Sequence, residues 1–242
     1  MSRFTQPLLL LLFLLLALGG CGKSPNSVKV LRVGFVPAED AQQVIQNAQP
    51  IVDILQNRLG MEVQPFVATD YTGVVEALRA NKLDIAFLTP ASYVMAKNEA
   101  NVKVVLKSER KGSPFYYAAI ITRDDSGIKR LEDLRGKTFA FGDPLSTSAN
   151  VFPRKMFYEQ GIDPVRDFKQ ILYSGGHDAT VLAVLNGKVD AGATYANSPD
   201  GKDTAWMRYL KDPEDVKKIR ANSSRDVQLE PGDRVEVPQS LF

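Results

Sequence analysis

The sequence predicts an α/β protein built as two lobes with a ligand cleft between them, and three observations carry that reading. Short apolar runs alternate with segments of helical periodicity over most of the chain. The alternation pauses at Lys111-Gly112-Ser113-Pro114 and then restarts on a similar plan, giving two units of about 90 residues. In each unit the strand ends lead into polar turns, and in an open α/β sheet ligands lie at the carboxyl ends of the strands.

In the first unit, residues 29–35 read as a strand ending at Pro37. Residues 41–59 read as a helix, with Val44, Ala48, Ile51, Val52, Leu55 and Leu59 at helical spacing and Gly60 as the stop. Pro50 is expected to kink that helix or to start a new one. Residues 62–67 form the next strand, 74–80 a helix entered from Asp70-Tyr71-Thr72-Gly73, and 83–88 a buried strand stopping at Thr89-Pro90. This βαβαβ order implies a parallel sheet covered on both faces.

In the second unit, 116–122 is an apolar strand, 131–134 a short helix and 138–141 a strand. The strand runs into Asp143-Pro144-Leu145-Ser146-Thr147-Ser148-Ala149-Asn150, and Val151, Phe152, Met156 and Phe157 then recur at helical spacing in a helix over 148–160 stopped by Gly161. An ordinary helix cap needs one hydroxyl. Here Ser146, Thr147 and Ser148 are consecutive. Free backbone N–H groups and the positive end of the helix dipole point out of such a start, so hydroxyl donors added there suit an oxyanion. A strand over 168–173, the turn Ser174-Gly175-Gly176-His177-Asp178, a helix over 179–186 and a strand over 189–194 complete the unit.

Composition narrows the function. Thirty Lys and Arg against 28 Asp and Glu, with 44% hydrophobic residues, give no strong field for nucleic acid and no sign of disorder. Arg3 precedes an unbroken apolar run over 8–18, shorter than the ~20 residues of a membrane span and of the length of a signal-peptide core. Residues 1–20 are therefore read as a targeting segment. Cys21, the chain's one cysteine, follows Leu18-Gly19-Gly20 in a pattern that resembles a bacterial lipobox, so lipid attachment at Cys21 and a linker over 21–28 are expected. The protein would then sit on the periplasmic or extracytoplasmic face, held to the membrane by acyl chains.

The segments 70–78, 82–86, 112–116, 142–148 and 175–178, in this order and spacing, resemble the phosphonate- and phosphite-binding proteins of ABC transporters, over about residues 30–220. The resemblance implies a two-lobed type II periplasmic-binding-protein fold, with lobe 1 over 29–112, lobe 2 over 113–205 and a partial return towards lobe 1 over 206–242. It implies a phosphonate, phosphite or phosphate ligand, an ABC permease and its ATPase as partners, and no cofactor. By it, Ser146, Thr147 and Ser148 hold the oxyanion, with Tyr71, Tyr116 and His177 donating from the other walls. A phenol is a directed, uncharged donor, and neutral donors hold an anion while leaving it releasable. Read without the family, Tyr71 is a turn residue packed on its helix and Tyr116 a core or rim residue. His177, the single histidine, has an ordinary pKa near ~6.5 and donates from one nitrogen when neutral. Asp178 is expected to be an N-cap carboxylate.

Two departures from the family stand out. Members that take aminoalkyl phosphonates resemble one another in an acidic residue a few positions past the strand matching 189–194, where this chain has Asn197, with Asp200 nearby; the amide favours phosphite, methylphosphonate or phosphate over an aminophosphonate. The tail over 221–242 is polar without a helical stripe and reads as a truncated end. Other classes remain to be weighed. An enzyme would need a nucleophile or base, and the chain offers no usable cysteine, no metal cluster and no evident Ser-His-Asp arrangement. A module reporting ligand occupancy to a membrane kinase, or one binding carboxylate or sulfate, would use the same binding physics. Replacing Cys21 by Ser is expected to release the protein from the membrane fraction or stall its processing; a variant that is processed normally and stays membrane-bound would contradict lipid attachment.

Overall fold

The computed structural model describes residues 30–110, 112–198 and 202–222. The targeting segment, Cys21 with its linker, and the tail past Asn222 lie outside the described residues.

The first lobe runs β1 (Val30–Phe35), α1 (Ala41–Leu59), β2 (Glu62–Val67), α2 (Tyr71–Arg79), β3 (Ile85–Phe87) and α3 (Pro90–Ala100). Its three strands are parallel in the order β2-β1-β3. Helix α1 has the limits its punctuation predicts. Asp40 caps it by accepting from the Gln42 and Gln43 N–H groups at 3.0 and 3.1 Å, and Gly60 ends it. Pro50 neither splits it nor starts a second helix. The ring lies on the exposed side, where water can take the carbonyl that it leaves without a donor. Val44, Ala48 and Val52 pack onto Val33, Phe35 and Val63 of the sheet.

The third strand differs from expectation. Residues 83–88 read as a buried strand, but only Ile85–Phe87 pair, and Ile85 and Phe87 are 40% and 41% exposed. β3 is the outer strand, bonded to β1 alone among the described residues, so its apolar character reflects one buried anchor, Leu83, and the stacking of Phe87 on Phe35 at 5.0 Å. Helix α3 was not anticipated; Thr89 and Ser92 form a reciprocal capping box with Pro90 in the first turn.

The second lobe contains β4 (Tyr117–Arg123), β5 (Thr138–Phe141), α4 (Phe152–Glu159), α5 (Pro164–Asp167), β6 (Gln170–Tyr173), α6 (His177–Leu185), β7 (Ala191–Ala196), α7 (Ala205–Tyr209), α8 (Pro213–Lys217) and β8 (Ile219–Asn222), with a short 3-10 turn at Leu131–Leu134. The strand order is β6-β5-β7-β4-β8. This sheet is mixed, not a copy of the first: β5 runs parallel to β6 and β7, whereas β4 is antiparallel to β7 and β8. Alternation along β4 sends Ile120 and Ile121 to opposite faces. Ile120 joins an aromatic core in which Phe157 meets Phe139 and Phe168 edge to face at 5.3 and 5.1 Å, and Ile121 joins Val181, Val184, Trp206 and Ile219. Residues 205–222 thus build this lobe, with β8 as its outer strand. The lobe extends through Asn222, past the boundary at 205 read from the sequence, and the described part of the expected return stays with it.

The approach of α6 to β7 depends on Gly192. A Cβ there would lie 2.7 Å from Thr180 Cγ2, 3.1 Å from Val184 Cγ2 and 3.3 Å from the Ala140 carbonyl. Thr180 cannot easily yield, because its hydroxyl is bonded to Ser174 and to the Gly176 carbonyl. Gly192→Ala is expected to destabilise the protein by about 1–3 kcal/mol through overpacking, read as a lower urea midpoint with an unchanged slope; an unshifted midpoint would mean that the helix moves off the sheet freely.

Candidate functional site

The site is built on the turn from β5 into α4. Gly142 comes first because the backbone doubles back there: a Cβ would lie 2.7 Å from that of Ala149, and the Gly142 N–H donates to the Ala149 carbonyl at 3.0 Å. Asp143 follows, buried, with its carboxylate accepting from the Leu145 N–H at 2.7 Å in its own loop and from the Tyr71 N–H at 3.1 Å in the other lobe. Burial pushes its pKa up, against the opposing pull of those two N–H groups.

Residues Thr147–Val151 then form a single wide π-helical turn rather than the expected α-helical start, with both the Asn150 and Val151 N–H groups donating to the Ser146 carbonyl. Such turns often mark functional positions. Ser146 is the cap, its hydroxyl accepting from the Ala149 N–H at 3.2 Å. Ser146, Thr147 and Ser148 are all buried. As first residues of a helical segment, Thr147 and Ser148 have no carbonyl behind them in the helix for their N–H groups.

The opposite lobe closes over this turn. The Thr147 hydroxyl accepts from the Ala91 N–H at 2.9 Å, and the Thr89 hydroxyl donates to the Leu145 carbonyl at 3.2 Å, so the unanticipated helix α3 supplies one wall. Tyr71 opens α2 and is buried, with its phenol near the Ser146 side chain. Burial, with Asp143 nearby, pushes the phenol pKa up, so it remains a proton donor. Tyr116 enters from the lobe connection with its phenol near Thr147, and burial raises its pKa too. Tyr71, fully buried, and Tyr116, half-buried, therefore both lie at the hydroxyl turn.

His177 is the first residue of α6 and is buried. Its N–H donates to the Ala38 carbonyl across the cleft at 2.8 Å, its Nδ1 lies 3.1 Å from Thr194 Oγ1, and its ring meets Tyr195 edge on at 4.9 Å. Burial first, and then the cations Arg110 and Arg208, push its pKa down to about 4, so the ring is neutral at physiological pH. Asp178 does not cap its own helix as expected. Its carboxylate reaches across to accept from the Asp40 N–H at 3.1 Å, while Gly176 stands at the cap without a side-chain bond. A cleft of about 460 Å³ at the seam is lined by Glu39, Asp143 and Asp178 among others. Its carboxylates make it unsuited to an anion, and the hydroxyl turn lies beside it rather than in it.

Thr194, Tyr195, Arg110 and the Ala91 N–H complete the arrangement without a signal in the sequence, whereas Thr89 stands at the carboxyl end of the strand read over 83–88, where ligands are expected. Only the Thr89-Pro90 pair, a cap followed by Pro at the first helical position, carried a readable signal. Among the described residues no group of three or more His, Cys, Asp or Glu could hold a metal ion, and no helix is long and apolar enough to cross a membrane.

Residues 33–222 match the family model described as ABC transporter, phosphonate, periplasmic substrate-binding protein. The chain is 32% identical over 189 residues to the phosphonates-binding periplasmic protein of Escherichia coli strain K12, covering 76% of this chain and 56% of that protein. It is 32% identical over 183 residues to the phosphate-import protein PhnD of Mycolicibacterium smegmatis, covering 71% of this chain and 57% of that one. The crystal structure of a binding-protein component of an ABC phosphonate transporter from Pseudomonas aeruginosa superposes with a TM-score of 0.69 at 26% identity, covering 81% of this chain and 64% of that chain. The chain thus spans a little over half the length of the curated relatives it matches. The two-lobed α/β architecture is the type II periplasmic-binding-protein fold. With the family model spanning nearly all the described residues, the chain belongs to the periplasmic substrate-binding proteins of phosphonate ABC transporters, a family of binding proteins rather than enzymes.

Proposed function

We propose that this chain captures a phosphorus oxyanion, namely phosphite, methylphosphonate or phosphate, at the Ser146-Thr147-Ser148 turn and hands it to an ABC permease driven by its ATPase. The observation that carries this reading is the convergence on one turn of buried hydroxyls, a helix start and two protonated phenols, with donors from both lobes. All these donors are neutral. A dianion held by neutral, charge-assisted bonds is bound firmly without an ion pair that would retain it. The curated relatives are named for phosphonates and for phosphate, and a cradle that grips only the oxygens accommodates either. Lipid anchoring at Cys21 would place the protein on the extracytoplasmic face.

Closure and binding share the same atoms. The Ala91 N–H to Thr147, the Thr89 hydroxyl to the Leu145 carbonyl and the Tyr71 N–H to Asp143 all seat the first lobe on the turn that would hold the anion. A ligand touching both lobes there favours the closed form over the open one by its differential contacts. His177 fits as a donor. If the Thr194 hydroxyl donates to Nδ1, the single proton of the neutral ring sits on Nε2 and is available to the ligand.

Changing Ser146 and Thr147 together to Ala is expected to weaken methylphosphonate binding by ~2–5 kcal/mol, since each lost bond to a charged group costs ~1.5–3 kcal/mol, with a smaller loss of fold stability from the missing cap. Unchanged affinity in calorimetry would remove the cradle. The single imidazole gives a second test by NMR, because its resonance needs no assignment by mutation. In the ligand-free closed protein it is expected to titrate well below 6.5, towards about 4, and methylphosphonate is expected to raise that midpoint by favouring the imidazolium. The sign for stability follows: the folded value lies below the unfolded one, so the unfolded chain takes up the proton first as pH falls. Stability is therefore full above ~6.5 and is lost between there and about 4. A midpoint at or above 6.5 without ligand would mean that the ring is not held buried.

A further inference from the structure

The cradle accounts for one end of a ligand, the phosphorus oxyanion, and leaves open what the protein does with the substituent on phosphorus. Over the face of the Tyr116 ring lies a cation. Arg110 is held at the connection between the lobes by reciprocal backbone bonds with Ser113, at 2.8 and 3.0 Å, so its backbone is fixed where the chain passes from one lobe to the other. Its guanidinium carbon sits 4.8 Å from the centroid of the Tyr116 ring, and Nη1 is 3.5 Å from Asn197 Oδ1 just past the end of β7. Both neighbours are neutral. Arg208, the other cation felt by His177, is by contrast ion-paired with Glu39 at 2.8 Å.

Arg110 thus flanks the ring of Tyr116, whose phenol lies near Thr147, and it is close enough to His177 to act on that ring's charge. A group on phosphorus that leaves the cradle past Tyr116 meets the guanidinium and the Asn197 amide. An ammonium placed there faces a like charge, which disfavours it, and the amide cannot supply the compensating negative charge. A carboxylate placed there finds the planar donor fork that suits it. Rejection by a like charge is a common source of specificity where attraction alone discriminates poorly.

We infer that Arg110 sets the charge preference at the substituent end of the site, so that the protein takes phosphorus oxyanions whose substituent is uncharged or anionic and rejects those bearing an ammonium. This rests on the phosphorus-oxyanion reading above and adds to it the residue that chooses among such ligands.

Calorimetric titration of the full chain, and of its R110Q and R110E variants, with methylphosphonate, 2-aminoethylphosphonate and phosphonoacetate tests it. The wild type is expected to bind methylphosphonate and phosphonoacetate at least about tenfold more tightly than the amine, a difference of ~1.4 kcal/mol. R110E is expected to move the amine-to-methyl affinity ratio at least about tenfold towards the amine and to weaken phosphonoacetate relative to methylphosphonate, with R110Q falling between. Ratios that do not move while methylphosphonate still binds would overturn the role of Arg110 and leave the cradle standing. A wild type that binds none of the three anions would overturn the phosphorus-oxyanion reading and this inference with it.

Discussion

The carboxylate of Asp143 is the interaction on which the rest of the site depends. One oxygen accepts the Leu145 N–H, which fixes the loop that presents the hydroxyls, and the other accepts the Tyr71 N–H, which fixes the first lobe against that loop. A buried carboxylate without partners would cost several kcal/mol. Here the two N–H donors compensate it, and only when the lobes are together. The geometry of the turn and the seating of the lobes are therefore coupled through one side chain. Asp178 repeats the device at the other side of the cleft, where its carboxylate takes the N–H of Asp40, the residue that caps α1.

Much of this was legible in the sequence where local chemistry decides. Asp40 and Gly60 bracket α1 because a cap and a helix stop act within a few residues, and Pro50 misled because its effect depends on which side of the helix it faces. The run of hydroxyls at a helical start was legible, but not its π-turn geometry. That geometry arises from the close approach of Gly142 to Ala149, which no periodicity encodes. The exposure of β3 and the antiparallel placing of β4 and β8 are long-range facts, set by which strands become neighbours rather than by their own residues.

The side chains missed at the site share one property: they act through a partner distant in sequence. Thr194 matters because it faces His177, Arg110 because it lies on Tyr116, and the Ala91 N–H because it reaches Thr147. Asp178 was assigned the local role that its position at a helix start suggests, and the structure gives it a partner 138 residues away. Sequence alone supports the choice of donors; only the packed lobes show what orients each one.

The electrostatic character of the cleft follows from how its charges are distributed. Carboxylates are abundant at the seam, yet Asp143 and Asp178 are turned onto backbone N–H groups, and Glu39 is paired with Arg208. Each carboxylate thus has a local partner, although Asp143 still acts on the Tyr71 phenol. His177 remains neutral because burial outweighs any attraction from those carboxylates, and the cations near it push in the same direction. The groups at the hydroxyl turn are consequently uncharged donors, with Arg110 stacked over the ring of Tyr116. For the proposed ligand, such an arrangement would separate two tasks that a buried lysine or arginine would merge: grip on the phosphorus oxygens would come from hydrogen bonds that break when the lobes part, and discrimination by charge would be left to a residue at the lobe connection.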